Sequence, residues 1–357
     1  MILSRYAICS GVVVLVLFAL VGPNGGAAAR EEVPRIISLP EVERPRQVCA
    51  EHGRVYIVDD RDIVVYSYPD GRFLRKIGRV GQGPGEFKVG PGRLTVLEDR
   101  LAVRNMFQVM FFSISGDYIG QLREPSYTGF FPYLPVGKNF VAFPHNRRQD
   151  GSFAPAVGCI YDGEGKLLKR FYPALPEFPQ APPPPGSGPP SKKPDALMVR
   201  EYTDWLVQKG MIFVADSRKG LSISVFDEEG ELLYEIVHKG DRVKMTKGFR
   251  ESVLDERKKS KYAEYDNPVF PEFFPAFIGF KIDGGRIYAI TPAQKDGLYE
   301  VIEMDLKGNS LKRGFRLPLT PRFDIPEAFA LQYDVEDGQF LWVEYNEEKE
   351  IHELHIR

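Results

Sequence analysis

The chain has 357 residues, 43% of them hydrophobic and including 25 Phe and 17 Tyr, which is ample for a large core. Its 34 Gly and 29 Pro lie between short β-branched and aromatic runs, a pattern that argues against long helices and favours an all-β fold. With 47 basic and 49 acidic side chains the formal charge is −2, so no electrostatic footprint for nucleic acid exists.

Residues 1–29 read as a secretory signal peptide: Arg5 gives the positive start, Ala7 to Val21 the apolar run, and Ala27-Ala28-Ala29 the small-residue cleavage site. The run falls short of the roughly 20 residues that span a bilayer. The expected mature chain, 30–357, is therefore exported to the periplasm or the medium with no membrane span. Cys9 lies too early to be a lipoprotein cysteine. The mature chain keeps Cys49 and Cys159, which fall in separate, non-adjacent repeats and read as two buried thiols.

The organising stretch is 53–87, GRVYIVDDRDIVVYSYPDGRFLRKIGRVGQGPGEF. It alternates apolar and polar residues between turns rich in Gly, Pro and Asp, the mark of strands joined by tight hairpins. Read as units of four strands, innermost first, the chain gives 47–52, 54–59, 62–68 and 72–77, then 93–98, 100–105, 108–114 and 118–123. The third unit is 131–136, 139–144, 154–161 and 167–172; the fourth is 202–208, 211–216, 221–226 and 232–237. The fifth is 277–282, 286–291, 298–304 and 311–317. The sixth has only 329–335, 339–345 and 350–356, and the orphan run 35–39 is expected to supply its outer strand and seal a ring. The fold class predicted is a six-bladed β-propeller of four-stranded antiparallel blades.

Turn glycines set the count: Gly71 to Gly116 is 45 residues and Gly116 to Gly165 is 49, near one blade. The next gaps, 65 and 78 residues, require insertions. One is the proline-rich loop 173–200, with Pro182 to Pro185 consecutive. The other, 241–275, carries the one predicted helix, with Phe249 and Val253 a turn apart, Tyr262 and Tyr265 following, and Asp255 four before Lys259. Both join an outer strand to the next inner strand, so both should emerge on the face that also carries the loops between second and third strands.

RVYIVD at 54–59, VYSYPDGRFLRKIG at 65–78 and GQGPGEF at 81–87 resemble the NHL-type six-bladed β-propellers, in particular exported bacterial propeller proteins of unassigned function. The resemblance implies a binding or interaction module that takes a protein, a glycan or a small ligand on one face. A minority of related propellers are calcium-dependent lactonases or zinc-containing lyases, which implies a metal-dependent enzyme with its site at the central channel as the alternative.

The residues themselves lean toward binding. GQGPGEF lacks the Gly-Lys-Ser/Thr and the following helix of a phosphate loop and reads as a connector, with Phe87 packed inward and Glu86 accepting from loop amides. The inner strands hold scattered acids, Glu98, Asp204 and Asp334, without a recurrent ligand; three or more acids or histidines meeting at the channel mouth would favour the enzyme. His145 and His238 are the one histidine pair on the insertion-bearing face, and two ligands make an incomplete zinc site. No catalytic residue and no cofactor can be named. The binding candidates are Arg79, Arg123, Tyr127, Phe130, Arg147, Arg148, Arg218, Lys219 and Arg322, loop cations and aromatics sent to one face and suited to acidic or sugar-like partners.

Overall fold

Alternating runs of β-branched and aromatic residues become strands because a pleated surface buries one face of each. The computed structural model describes residues 34–106, 108–123, 133–144, 154–175, 195–259, 266–319, 321, 323 and 331–357. Blade 1 comprises β2 (Gln47–Glu51), β3 (Arg54–Val58), β4 (Ile63–Ser67) and β5 (Phe73–Ile77). Blade 2 comprises β6 (Leu94–Val96), β7 (Arg100–Asn105), β8 (Gln108–Ser113) and β9 (Tyr118–Arg123). Blade 3 has β10 (Leu134–Val136), β11 (Asn139–Ala142), β12 (Gly158–Tyr161) and β13 (Leu167–Tyr172). Blade 4 has β15 (Thr203–Gln208), β16 (Met211–Asp216), β17 (Leu221–Phe226) and β18 (Leu232–His238). Blade 5 has β20 (Gly279–Asp283), β21 (Arg286–Lys295), β22 (Leu298–Asp305) and β23 (Ser310–Leu317). Blade 6 takes β24 (Tyr333–Glu336), β25 (Gln339–Asn346) and β26 (Ile351–Ile356) from the C-terminus and β1 (Arg35–Ser38) from the N-terminal side.

The closing strand runs antiparallel to β26, Arg35 opposite Ile356 and Ser38 opposite Glu353. The chain is thus a six-bladed β-propeller in which each blade is one four-stranded antiparallel sheet. Its core lies between blades. One cluster joins blades 1 and 2 through Tyr56, Ile63, Phe87 and Phe112; equivalent layers fill the other seams, down to Val55, Tyr66, Leu341 and Leu354 between blades 1 and 6. Burying each large apolar side chain contributes about 1.5–3 kcal/mol, so every seam is a substantial source of stability.

The turns between third and fourth strands lock adjacent blades. Asp162, Asp227 and Asp305 each accept two backbone N–H groups of their own turn through Oδ1, at 2.8–3.0 Å. After Asp227 and Asp305 the glycine that follows lies against the previous blade: a Cβ on Gly230 would come within 2.8 Å of Phe171 Cβ, and one on Gly308 within 2.6 Å of Ile236 Cγ2.

Three local expectations change. The third strand of blade 3 begins at Gly158 rather than at 154, because Pro155 has no N–H to give the ladder and Leu175 donates to Ala156 O instead. The helix α1 spans Lys247–Lys258, capped by Thr246 Oγ1 accepting from Phe249 N–H at 3.2 Å; Tyr262 and Tyr265 lie outside the described residues. Asp255 pairs with Lys258 at 2.7 Å, while Lys259 pairs with Glu256. Cys49 and Cys159 are both free and buried. Among the described residues no helix is long and apolar enough to cross a membrane.

Candidate functional site

The inner strands build the channel in levels. Gln47, Cys49 and Glu51 share one side of β2, and their counterparts follow from the pairing register. At the end nearer the insertions, Arg93 of blade 2 reaches across to Asp204 of blade 4, with both guanidinium–carboxylate contacts at 3.5 Å and side-chain exposures of 10% and 2%. Tyr202 O–H donates to the same carboxylate at 3.2 Å and Trp205 N–H at 2.8 Å. Beside this bridge the Gln47 side-chain amide spans to blade 2, donating to Leu94 O at 2.7 Å and accepting from Leu94 N–H at 2.8 Å. A buried, hydrogen-bonded ion pair therefore braces that end of the channel.

One level down, Lys281 of blade 5 pairs with Asp334 of blade 6 at 3.3 Å, and Asp334 Oδ2 accepts from Ala50 N–H of blade 1 at 2.8 Å. Lys281 Nζ also lies 5.2 Å from the Tyr333 ring centroid. Burial, followed by the nearby Asp334 carboxylate, pushes the Cys49 thiol up to about 12, so it is a packed, protonated group at neutral pH.

At the opposite mouth, the last residue of each inner strand before its hairpin forms another level. Blades 5, 6 and 1 place Asp283, Glu336 and Glu51 there, whereas blades 3 and 4 place Val136 and Gln208. Asp337 adds a fourth negative charge beside Asp283 and Glu336. Burial, then Glu51 and Asp283, pushes Glu336 up to about 7. Burial also raises Glu51, and raises Asp283 against the pull of a 2.8 Å hydrogen bond from Gly338 N–H. Among the described residues no group of three His, Cys, Asp or Glu is arranged to hold a metal ion. The described residues thus do not form the set of oxygen ligands that a hard cation needs.

The insertion-bearing face is more elaborately built. β14 (Asp195–Leu197), from the connection between blades 3 and 4, pairs in parallel with β19 (Asn267–Val269), from the connection between blades 4 and 5. Met198 N–H donates to Val269 O, and Arg200 N–H donates to Phe323 O in the connection between blades 5 and 6. Val199, Met245 and Phe274 are buried beneath this cap; Phe249 of α1, Phe274 and Phe323 pack mutually, with ring centroids 4.8–5.4 Å apart. Glu201 ties the cap to blade 4, accepting from Arg242 at 2.6 Å and from Ser217 Oγ at 2.5 Å.

Of the predicted binding residues, Arg79 is committed to Glu86 at 2.6 Å, and Glu86 also accepts from Gly83 N–H at 2.8 Å. GQGPGEF is therefore a self-clamped connector, with Phe87 fully buried. Arg218 holds Asp216 with two hydrogen bonds of 2.8 and 2.5 Å, and Tyr172 O–H donates to the same carboxylate at 3.0 Å. Burial pushes Asp216 up, but Arg218 outweighs it and holds the carboxyl below its ordinary range. Lys219 Nζ lies 5.3 Å from the Tyr172 ring centroid. Arg123 is exposed at the end of β9, and His238 is half-buried at the end of β18. Tyr127, Phe130, His145, Arg147, Arg148 and Arg322 lie outside the described residues. Sequence reading missed the pairing of the two insertions and the meeting of Glu51, Asp283 and Glu336. Acids one residue before a hairpin in three inner strands were the available sign of the second.

A family profile described as 6-bladed beta-propeller matches residues 40–180. No curated protein matches the chain. Among solved structures, a candidate exported protein of Bacteroides fragilis NCTC 9343 superposes with a TM-score of 0.52 at 11% identity, covering 91% of this chain and 94% of its own. The WD40 domain of Neurospora crassa Pan2 gives a TM-score of 0.41 at 10% identity, covering 88% of each chain. At 11% identity the likeness to the Bacteroides fragilis protein is one of fold.

Proposed function

We propose that the chain is an exported binding or interaction module that recognises a protein, glycan or small ligand on the face bearing the insertions. The observation that carries this reading is that three successive blade connections are knitted into one cap with its own aromatic core. The ring does not need it, since all six blades are complete without those segments. Elaborate loops on a rigid scaffold are where recognition concentrates. Lys219 at the seam of blades 3 and 4 and Arg123 at the edge of blade 2 supply cations on the same face for an acidic or sugar-like partner. The signal-like segment 1–29 supports export.

The test is to screen peptide and glycan arrays with residues 34–357 and with a variant in which 244–273 is replaced by a short Gly-Ser linker. Ligands held by the first and lost by the second support the reading. Ligands held equally by both count against it.

A hydrolase or lyase reaction at the central channel is the second reading, favoured by the meeting of Asp283, Glu336 and Glu51 at one mouth, where burial and these neighbours push the Glu336 carboxyl up to about 7. Turnover of lactone or uronate substrates that Glu336→Gln abolishes would establish it; turnover unaffected by that change would place any chemistry elsewhere.

A further inference from the structure

Blade 3 carries a cavity that neither the channel nor the cap uses. Its volume is about 400 Å³, within the range of small-ligand pockets, roughly 300–1,000 Å³. The sequence explains why it is there. Pro144 and Pro155 keep the chain beside β12 out of the ladder, and the pairing of β12 with β13 slips at Gly158/Cys159 and again at Ile160/Tyr161. Slips between third and fourth strands also occur in blades 1, 2, 4 and 5, so the two prolines are what set blade 3 apart.

The lining has one chemical character and one exception. Pro155, Val157, Cys159, Tyr161 and Leu167 give a mainly apolar wall, and no carboxylate belongs to it. The exception is Arg170, three residues after Leu167 on the outer strand and opposite Cys159, with the register slip at Ile160/Tyr161 between them. Arg170 is exposed and makes no ion pair to a carboxylate among the described residues, unlike neighbouring Lys169, which holds Glu231 at 2.5 Å. Its charge reaches the wall: burial raises the Cys159 thiol, while Tyr161 and Arg170 draw it back down. A mainly apolar cavity with one cation at its edge that no described carboxylate neutralises is complementary to a molecule with one negative head and an aliphatic body.

We propose that blade 3 binds a medium-chain aliphatic carboxylate, its chain in this cavity and its head on Arg170. A glycan is a poor fit, because the wall offers few hydrogen-bonding groups. A cationic amphiphile is opposed by Arg170. The site is separate from the insertion cap, so its fate does not decide the function proposed above.

Calorimetric titration of residues 34–357 tests it, with octanoate, decanoate and dodecanoate below their micelle-forming concentrations, and with decanol and decyltrimethylammonium as neutral and cationic counterparts. Decanoate should bind at least tenfold more tightly than either counterpart, and each added methylene should tighten binding about fourfold until the cavity is full. Arg170→Gln should reduce decanoate to the level of decanol, and Arg170→Lys should recover much of the loss. Val157→Phe, which fills the cavity, should remove binding of both; if that variant fails to fold, the Arg170 pair still decides. No binding of any chain, equal binding of decanoate and decanol, or indifference to Arg170→Gln would overturn the proposal.

Discussion

Gly71, in the turn between the last two strands of blade 1, rests on Ile37 of the closing strand: a Cβ built on Gly71 would lie within 2.5 Å of Ile37 Cδ1. The residue also has a left-handed φ of 72°. Position and conformation both require glycine, at the seam where the two ends of the ring meet. Gly71→Ala should therefore destabilise by about 1–3 kcal/mol in thermal or denaturant unfolding. Gly163→Ala, where the nearest atom is Lys138 O at 3.8 Å and no positive φ is needed, should be close to neutral. Equal effects would show that the contact with Ile37 is incidental.

The Arg93–Asp204 bridge predicts a different pattern. Removing one partner leaves a charge buried without its counter-ion, so Arg93→Met or Asp204→Leu alone should cost about 3 kcal/mol. The double variant should cost less than the two singles together, because it removes the stranded charge. Tyr202 and Trp205 already hydrogen-bond Asp204, so the Arg93 single variant should be the milder one. Strict additivity in a double-mutant cycle would mean the two groups do not interact.

The acidic mouth sets a pH dependence whose sign is fixed. Glu336 has its folded pKa raised to about 7 from an ordinary 4.5, so the native state holds its proton more tightly than the unfolded chain does. Its stabilising effect is full below about 4.5 and is lost as pH rises through about 7. Glu51 and Asp283 are shifted in the same direction. The melting temperature should fall between pH 5 and pH 8. Glu336→Gln, which mimics the protonated group, should flatten that slope and stabilise the protein at pH 8 by about 2 kcal/mol. A steeper slope in the variant would contradict the assignment.

The cap should loosen without the ring. Phe249 joins α1 to Phe274 and Phe323, and no residue of the helix is fully buried. Phe249→Ala should speed amide exchange through 247–258 by about tenfold or more, a local opening of low free energy. The strands of blades 4 and 5 should exchange unchanged. Coordinated acceleration in those blades would mean that the cap is part of their core.

Much of the architecture was legible because a propeller is periodic. Turn glycines, β-branched alternation and the orphan run at 35–39 are enough for the blade order and the closing strand, and the inward packing expected of Phe87 is found. What could not be read lies where distant segments meet. The segments 195–197 and 267–269 are too short and too aperiodic to announce each other, and their pairing depends on the ring bringing two connections to one face. Glu51, Asp283 and Glu336 become neighbours only after closure, since two of them are separated from the first by most of the chain. Arg79 and Arg218 read as free loop cations in the sequence, because residue type alone does not reveal a carboxylate folded back onto them. Their carboxylates, Glu86 and Asp216, lie only seven and two residues away.

The central claim is that the insertion cap is the recognition surface. Hydrogen–deuterium exchange on residues 34–357, with and without a ligand recovered from the arrays, tests it most directly. Protection should appear in 195–201 and 244–274 and leave the hairpins at 51–54, 283–286 and 336–339 unchanged. Protection confined to those hairpins would put recognition at the acidic mouth and contradict the account.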